Sequence, residues 1–161
     1  MIRIANETDL AAILELADAR RRQYEIYQPA FWAKAPDSRE KQLPFLAAQL
    51  QRENVIALVH ETNGQIDGFL IATLVMAPPV YTAGLTCSVD DYCVAAPELW
   101  PTVGAALLEA SAEAARTRGA AQMVIVTANR DRPKRTMLAG QGYTIASEWW
   151  TLPFCTPPKA N

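Results

Sequence analysis

The sequence predicts an α/β chain of the α+β kind: a mixed, mostly antiparallel sheet of about six strands with about four helices. Asn63-Gly64 joins two apolar, β-branched runs, as a tight antiparallel hairpin requires. The stretch from Gly84 to Asn129 reads strand, helix, strand, an order that pairs the outer two in parallel through a crossover. Two amphipathic helical patterns precede the hairpin. The 161 residues suit a single domain over 1–161 with a real core.

Ile2 to Ile4 alternates as a short strand. Thr8 and Asp9 can cap the following helix, in which Leu10, Ile13, Leu14 and Ala17 recur at helical spacing. Arg20 to Arg22 close that stretch, where the helix dipole favours cations. "QYEIYQPAFW" is an aromatic connection. Asp37 and Ser38 start a second helix with Leu43, Leu46 and Leu50 on one face; Pro44 must sit in its first turn or bend it. "VIALVHE" and "IDGFLIATLVMA" are the hairpin strands, and Pro78-Pro79 ends the second. In "GLTCSVDDYCV", Cys87, Val89 and Cys93 alternate onto one face, but Asp91 falls there too. A lone carboxylate on a core face is costly, so a β-bulge near Asp90-Asp91 is expected to turn it out. A helix runs from Pro101 to about Thr117, with Val103, Leu107, Ala110 and Ala114 as its stripe and Gly119 as its cap. "AQMVIVTAN" reads as a strand buried on both faces. A short helix over 133–139 and a final strand, "YTIASEWWTLPF", complete the chain.

Half of the residues are hydrophobic and the net charge is -2, which gives no bulk attraction to nucleic acid or to an anionic membrane. No apolar run reaches membrane-spanning length. The N-terminus carries acidic residues where a secretory peptide would be apolar, so a cytoplasmic location is expected. Cys87, Cys93 and Cys155 lack metal-type spacing, and with His60 the only histidine no metal site is expected. Buried free thiols in a reducing compartment account for the cysteines, and His60 reads as a sheet-edge or surface residue.

Two segments bear on ligands. In "VAAPELWPTVGAALLEA" (Val94–Ala110) a strand feeds a helix start, where backbone amides of Thr102, Val103, Gly104 and Ala105, with the Thr102 hydroxyl, could cradle an anion. The same residues also read as a plain helix start that packs Trp100 inward. "NRDRPKR" gathers Arg130, Arg132, Lys134 and Arg135 at a helix start, where cations oppose the dipole. A bound anion would relieve that conflict; a solvated basic face capped by Asp131 is the alternative.

This order of elements, with the loop at 94–104 and "GQGY" near the end, resembles the GNAT superfamily of acetyl-CoA-dependent N-acetyltransferases over nearly the whole chain. The resemblance implies a central parallel pair, here ending at Val94 and Asn129, that splays apart to admit the acyl-pantetheine arm of acetyl-CoA. The family's Arg-Gly-x-Gly-x-Gly/Ala loop is degenerate here. Leu99 stands at the arginine position, Trp100 and Thr102 at the first two glycines, and Gly104 alone remains. Tyr92, Cys93, Val94, Thr102, Val103, Gly104, Ala105, Asn129, Arg132 and Lys134 are the implied coenzyme A contacts, with Cys93 or Val94 donating an N–H to the thioester carbonyl. Relative to the Gly142-Tyr143 pair, the family's acid tyrosine falls at Leu138, which cannot donate a proton.

The activity so implied is acetyl transfer to a primary amine, of a small molecule or a protein, by direct attack in a ternary complex. Asp90 and Asp91 are the candidate bases; they could equally accept hydrogen bonds around the bulge. Tyr24, Tyr27 and Trp32 line the acceptor pocket or pack the first helices. Cys93 without a histidine partner reads as packing rather than as an acyl carrier. The alternatives are a coenzyme A-binding or regulatory module without turnover, and a fold relic acting as an interaction domain. No nucleic acid or membrane is expected as a partner. Trp149 and Trp150 in the apolar C-terminal stretch leave surface that a homodimer could cover.

Overall fold

The structure, a computed structural model, describes residues 1–154; Cys155 lies outside the described residues. Strands β1 (Ile2–Ile4), β2 (Val55–Thr62), β3 (Gln65–Met76), β4 (Leu85–Val94) and β5 (Gln122–Ile125) form one sheet in sequence order. All neighbours are antiparallel except β4 and β5, which are parallel. Helices α1 (Leu10–Tyr27), α2 (Pro29–Trp32) and α3 (Ser38–Leu50) precede β2; α4 (Ala105–Thr117) crosses from β4 to β5, and α5 (Arg132–Gly140) follows β5. The hairpin turns on Asn63 and Gly64, with φ of 51° and 78° as its tight turn demands.

Two cores flank the sheet. Ile13, Leu14 and Ala17 of α1 and Leu46 of α3 pack with Val59, Phe69 and Ile71 on one face. Val103, Leu107 and Leu108 of the α4 region and Met137 and Leu138 of α5 pack with Leu70, Val89 and Tyr92 on the other. Gly68 lets the crossover close down on β3, since a Cβ there would lie 2.7 Å from Val103 Cγ1.

Several local expectations are corrected. The N-terminal cap is Asn6, in a reciprocal capping box with Asp9 that opens a short 3₁₀ turn before α1; Asp9 is tied down further by Arg3. Helix α1 runs on to Tyr27, so Arg20 to Arg22 sit in its interior rather than at its end. Pro44 lies inside α3, which stays helical through it, and Leu43 faces solvent while Leu46 is buried. Strand β5 is shorter than "AQMVIVTAN" and alternates in exposure, because β4 is its only neighbour among the described residues. The stretch 143–154 forms no strand: its apolar side chains, including Ile145, Trp150 and Leu152, are exposed, and no sheet edge pairs with it. Among the described residues the sheet therefore has five strands rather than about six. His60 lies on β2, flanked by β1 and β3, and its Nδ1 is 2.5 Å from Asp67.

Candidate active site

The bulge expected in β4 is present. Ile71 pairs with Asp91 and Ala72 with Val89, leaving Asp90 as the extra residue. The insertion reverses the alternation. Cys87 and Val89 before it, and Tyr92 and Val94 after it, face α4 and α5, whereas Cys93 packs beneath α1. Asp91 is thus turned away from the Cys87–Val89 face, but not into water. It is 8% exposed and meets Arg20 and Arg21 of α1, with Arg21 Nη2 at 3.5 Å. Arg20 is placed for this by the stripe Ile13, Ala17, Arg20, Tyr24, which is one helix face.

Asp90 and Asp91 open into a pocket of about 480 Å³, whose wall includes Arg20, Tyr24, Trp32, Lys34 and Phe45. Asp91 is consumed by its guanidinium partners. Asp90 is not: its carboxylate accepts from the Thr73 hydroxyl at 3.2 Å and the Ser88 hydroxyl at 3.1 Å, and has no cationic partner among the described residues. Lys34 is drawn to Asp18, with Arg22 on the same carboxylate. Trp32 stands edge-on to Tyr24 with centroids 5.1 Å apart and to Phe31 at 4.7 Å. Tyr27 packs against Tyr24 at 5.8 Å and stays outside the pocket wall. Burial raises the Tyr24 hydroxyl pKa; that hydroxyl donates to Asp131 at 3.0 Å.

Sequence reading missed Arg20, Arg21, Lys34 and Phe45 as pocket residues. One signal was available for Arg20: a cation on an otherwise apolar helical stripe needs a buried anion, and Asp91 was the unexplained anion.

Beyond Val89 and Ile125, β4 and β5 share no ladder pairs. Ala95 N donates to Asp67 O on β3 at 2.8 Å, and by the alternation of an antiparallel ladder Tyr92 and Val94, not Cys93, direct their main-chain groups toward this gap. Cys93 is buried, its thiol pushed up to about 11 by burial, and Sγ contacts Leu16 O at 3.5 Å.

The gap holds Lys134. Its side chain is 0% exposed, and Nζ donates to Val126 O at 3.1 Å and to Tyr92 O at 3.4 Å. The ammonium also sits 4.8 Å from the Tyr92 ring centroid and 5.3 Å from that of Trp100. Burial drives its pKa down to about 7, helped by Arg20 and opposed by Asp131, Cys93 and Asp91. Lys134 is therefore not one of a surface cluster of cations. Asp131 caps α5 by accepting from Lys134 N. Arg135 bonds the carbonyl of Asn129 at 2.8 Å, while Asn129, Arg130 and Arg132 are exposed.

The helix start expected at Pro101 begins earlier. A 3₁₀ turn, Pro97–Leu99, runs into a π-helical turn, Trp100–Gly104, before α4. Ala105 N consequently donates to Trp100 O and Thr102 O, and the Thr102 hydroxyl lies 3.4 Å from Leu99 O. Val103 and Gly104 are buried. Trp100 packs edge-on to Tyr92, centroids 4.8 Å apart. Gly104 serves that packing, because a Cβ would fall 2.6 Å from Trp100 Cε3. The wide π turn recruits the Ala105 amide into the helix, so this residue does not offer the free donor that a diphosphate cradle needs.

No family model and no curated protein sequence matches the chain. Solved structures do. A mutant of the BH1408 protein from Bacillus halodurans superposes with a TM-score of 0.85 at 16% identity, covering 96% of this chain and 99% of that one. A predicted acetyltransferase with acetyl-CoA from Clostridium acetobutylicum gives 0.74 at 16% identity, covering 95% of each chain. An aminoglycoside antibiotic 6'-N-acetyltransferase from Acinetobacter haemolyticus gives 0.72 at 14% identity, covering 97% of this chain and 99% of that one. The protein has the α/β fold of the GNAT acetyltransferases.

Proposed function

We propose that the protein is a GNAT-superfamily N-acetyltransferase, one domain over 1–161, that moves the acetyl group of acetyl-CoA to a primary amine. The observation that carries this reading is Asp90: a carboxylate without a cationic partner, held at the β4 bulge, facing an aromatic-walled pocket beside the point where β4 and β5 part. An ammonium entering the pocket is attracted by Asp90 and stacks against Trp32 and Phe45. Asp90, directly or through one water, takes its proton. The amine nitrogen then bonds to the thioester carbon, the C–S bond breaks to release coenzyme A as thiolate, and the second proton of the acylated nitrogen leaves to water, which leaves a neutral amide. The Val94 N–H faces the carbonyl oxygen as charge develops there. Leu138 is apolar and buried, so the thiolate leaves unassisted by that position or takes a proton from water. Asp91 holds Arg20 and so shapes the pocket rather than exchanging protons.

The proposed acceptor is a small molecule or a protein end that presents a primary amine beside an apolar group. A cytoplasmic setting, in which Cys87 and Cys93 stay as buried thiols, fits this reading.

The test is release of free thiol from acetyl-CoA across an amine panel. Asp90→Asn is expected to lower kcat/KM about a hundredfold with the fold intact. Unchanged turnover would remove Asp90 from the mechanism. A second reading, a coenzyme A-binding module without turnover, is favoured by Leu138, an apolar buried residue where an acid would stand. It predicts ligand-induced thermal stabilisation with no thiol release for any amine.

A further inference from the structure

Lys134 is out of place as an ordinary core or surface residue. A lysine completely withdrawn from water is rare and costly unless its charge is matched. Here the matching is incomplete. Both of its oxygen partners are neutral carbonyls, Tyr92 O on β4 and Val126 O just after β5. Those carbonyls belong to the two strands at the place where they stop pairing with each other. Nζ therefore bridges the gap by hydrogen-bonding to both of its sides, as a neutral amine with two N–H donors can, and the rings of Tyr92 and Trp100 close over it. The same volume cannot hold both this side chain and an acyl arm.

We propose that Lys134 is the gate of the acyl-arm slot: a thioester-bearing arm enters between β4 and β5 only by displacing this amine into solvent, and the displaced amine takes up a proton. The inference rests on the acetyl-transfer reading above for the identity of the arm, and on the position of Lys134 for the gate.

The charged and titratable groups around the amine fix the direction of the coupling. From α1, Arg20 repels its charge, and the Tyr24 hydroxyl is spent on Asp131. From β4, Asp91 and Cys93 favour the charge, but Asp91 is already neutralised by Arg20. The side chains of Tyr92 and Trp100 offer only ring faces, and Asp131 supports the charge from the start of α5. Withdrawal from water outweighs all of these and leaves the closed amine at about 7. A displaced, hydrated lysine titrates near 10.4. Between these values the open state holds the extra proton. Opening, and with it arm binding, therefore becomes easier as pH falls from about 10 toward about 7, by up to about tenfold per unit, and levels off below.

The experiment is calorimetric titration of the full chain with acetyl-CoA from about pH 7 to about pH 9, in two buffers of different ionisation enthalpy, to count protons. The wild type is expected to take up close to one proton per ligand near pH 8 and to lose affinity about tenfold per unit as pH rises. Lys134→Ala empties the slot and is expected to bind tighter, with proton uptake and pH slope abolished. Lys134→Met keeps most of the bulk and removes the titration alone, so it is expected to lose the slope. Tight wild-type binding without proton uptake, equal to that of Lys134→Ala, overturns the gate while leaving acetyl-CoA binding standing. Absence of binding to wild type and both variants overturns the acetyl-transfer reading and the gate with it. Should either variant fail to fold, the proton count on the wild type decides.

Discussion

Asp91 and Arg20 are each misfits within their own element, a carboxylate in an apolar strand and a guanidinium on the buried stripe of α1. Each is tolerated because the other is there. Removing one partner leaves a buried charge unmatched, so Asp91→Asn is expected to lower stability by about 3 kcal/mol, read from the urea midpoint. Replacing both by apolar residues of similar volume is expected to recover most of that loss, and an additive double mutant would refute the coupling. Lys134 gives a second residue-scale prediction. Its folded pKa, about 7, lies below that of an unfolded lysine, so the unfolded chain binds the extra proton in between. Its contribution is thus fully favourable only above about pH 10 and is lost as pH falls toward 7, by about 1.4 kcal/mol per unit. Urea titrations of wild type against Lys134→Met from pH 7 to 9 measure that slope; parallel curves would contradict it. Of these residues, Asp91 was legible in the sequence as an anomaly, while Lys134 read as one cation in a basic run. Nothing in the spacing of "NRDRPKR" says which of its cations turns inward, because that depends on where the gap lies.

Strand β4 shows how far an element can be read without its surroundings. Alternation along "GLTCSVDDYCV" demanded an irregularity at Asp90-Asp91, and the insertion is there. What the strand could not supply was the occupant of its far face, so Asp91 was expected in water and is found under α1. The segment from Pro97 to Gly104 went the other way. Degenerate loop letters left both an anion cradle and a plain helix start open; the segment winds around Trp100 as a 3₁₀ turn and a π turn, and this takes the Ala105 amide out of any cradle. Gly104 leaves room for the Trp100 ring packed against it. Gly104→Ala is accordingly expected to cost about 1–3 kcal/mol by overpacking, measured by denaturant unfolding. A smaller partner ring, Trp100→Phe, should relieve the clash, and an equal loss in both backgrounds would count against this account. Helix α3 illustrates the limit of a local rule. Pro44 is carried in its interior, so of the two alternatives the sequence left, a first-turn position or a bend, the first is excluded.

At the scale of the whole molecule, the sheet ends among the described residues at β5, and the segment beyond α5 lies unpaired. Trp150 is 89% exposed, and Trp149 touches the molecule edge-on at Phe31, centroids 6.1 Å apart, beside the pocket. The homodimer proposed to cover this apolar stretch predicts a dimer in sedimentation and a shift toward monomer for Trp149→Ser with Trp150→Ser. A wild-type monomer at high concentration would dismiss it. The order of β1 to β5, the hairpin at Asn63-Gly64, the parallel crossover and the bulge were determined by the sequence itself, since each follows from a local period, a turn chemistry or a chain-length constraint. The fate of the buried charges was decided only by tertiary structure. Whether Asp91 finds Arg20 and whether Lys134 fills the gap between β4 and β5 depend on which groups, distant in sequence, meet in a place without water, where an unmatched charge is too costly to leave alone.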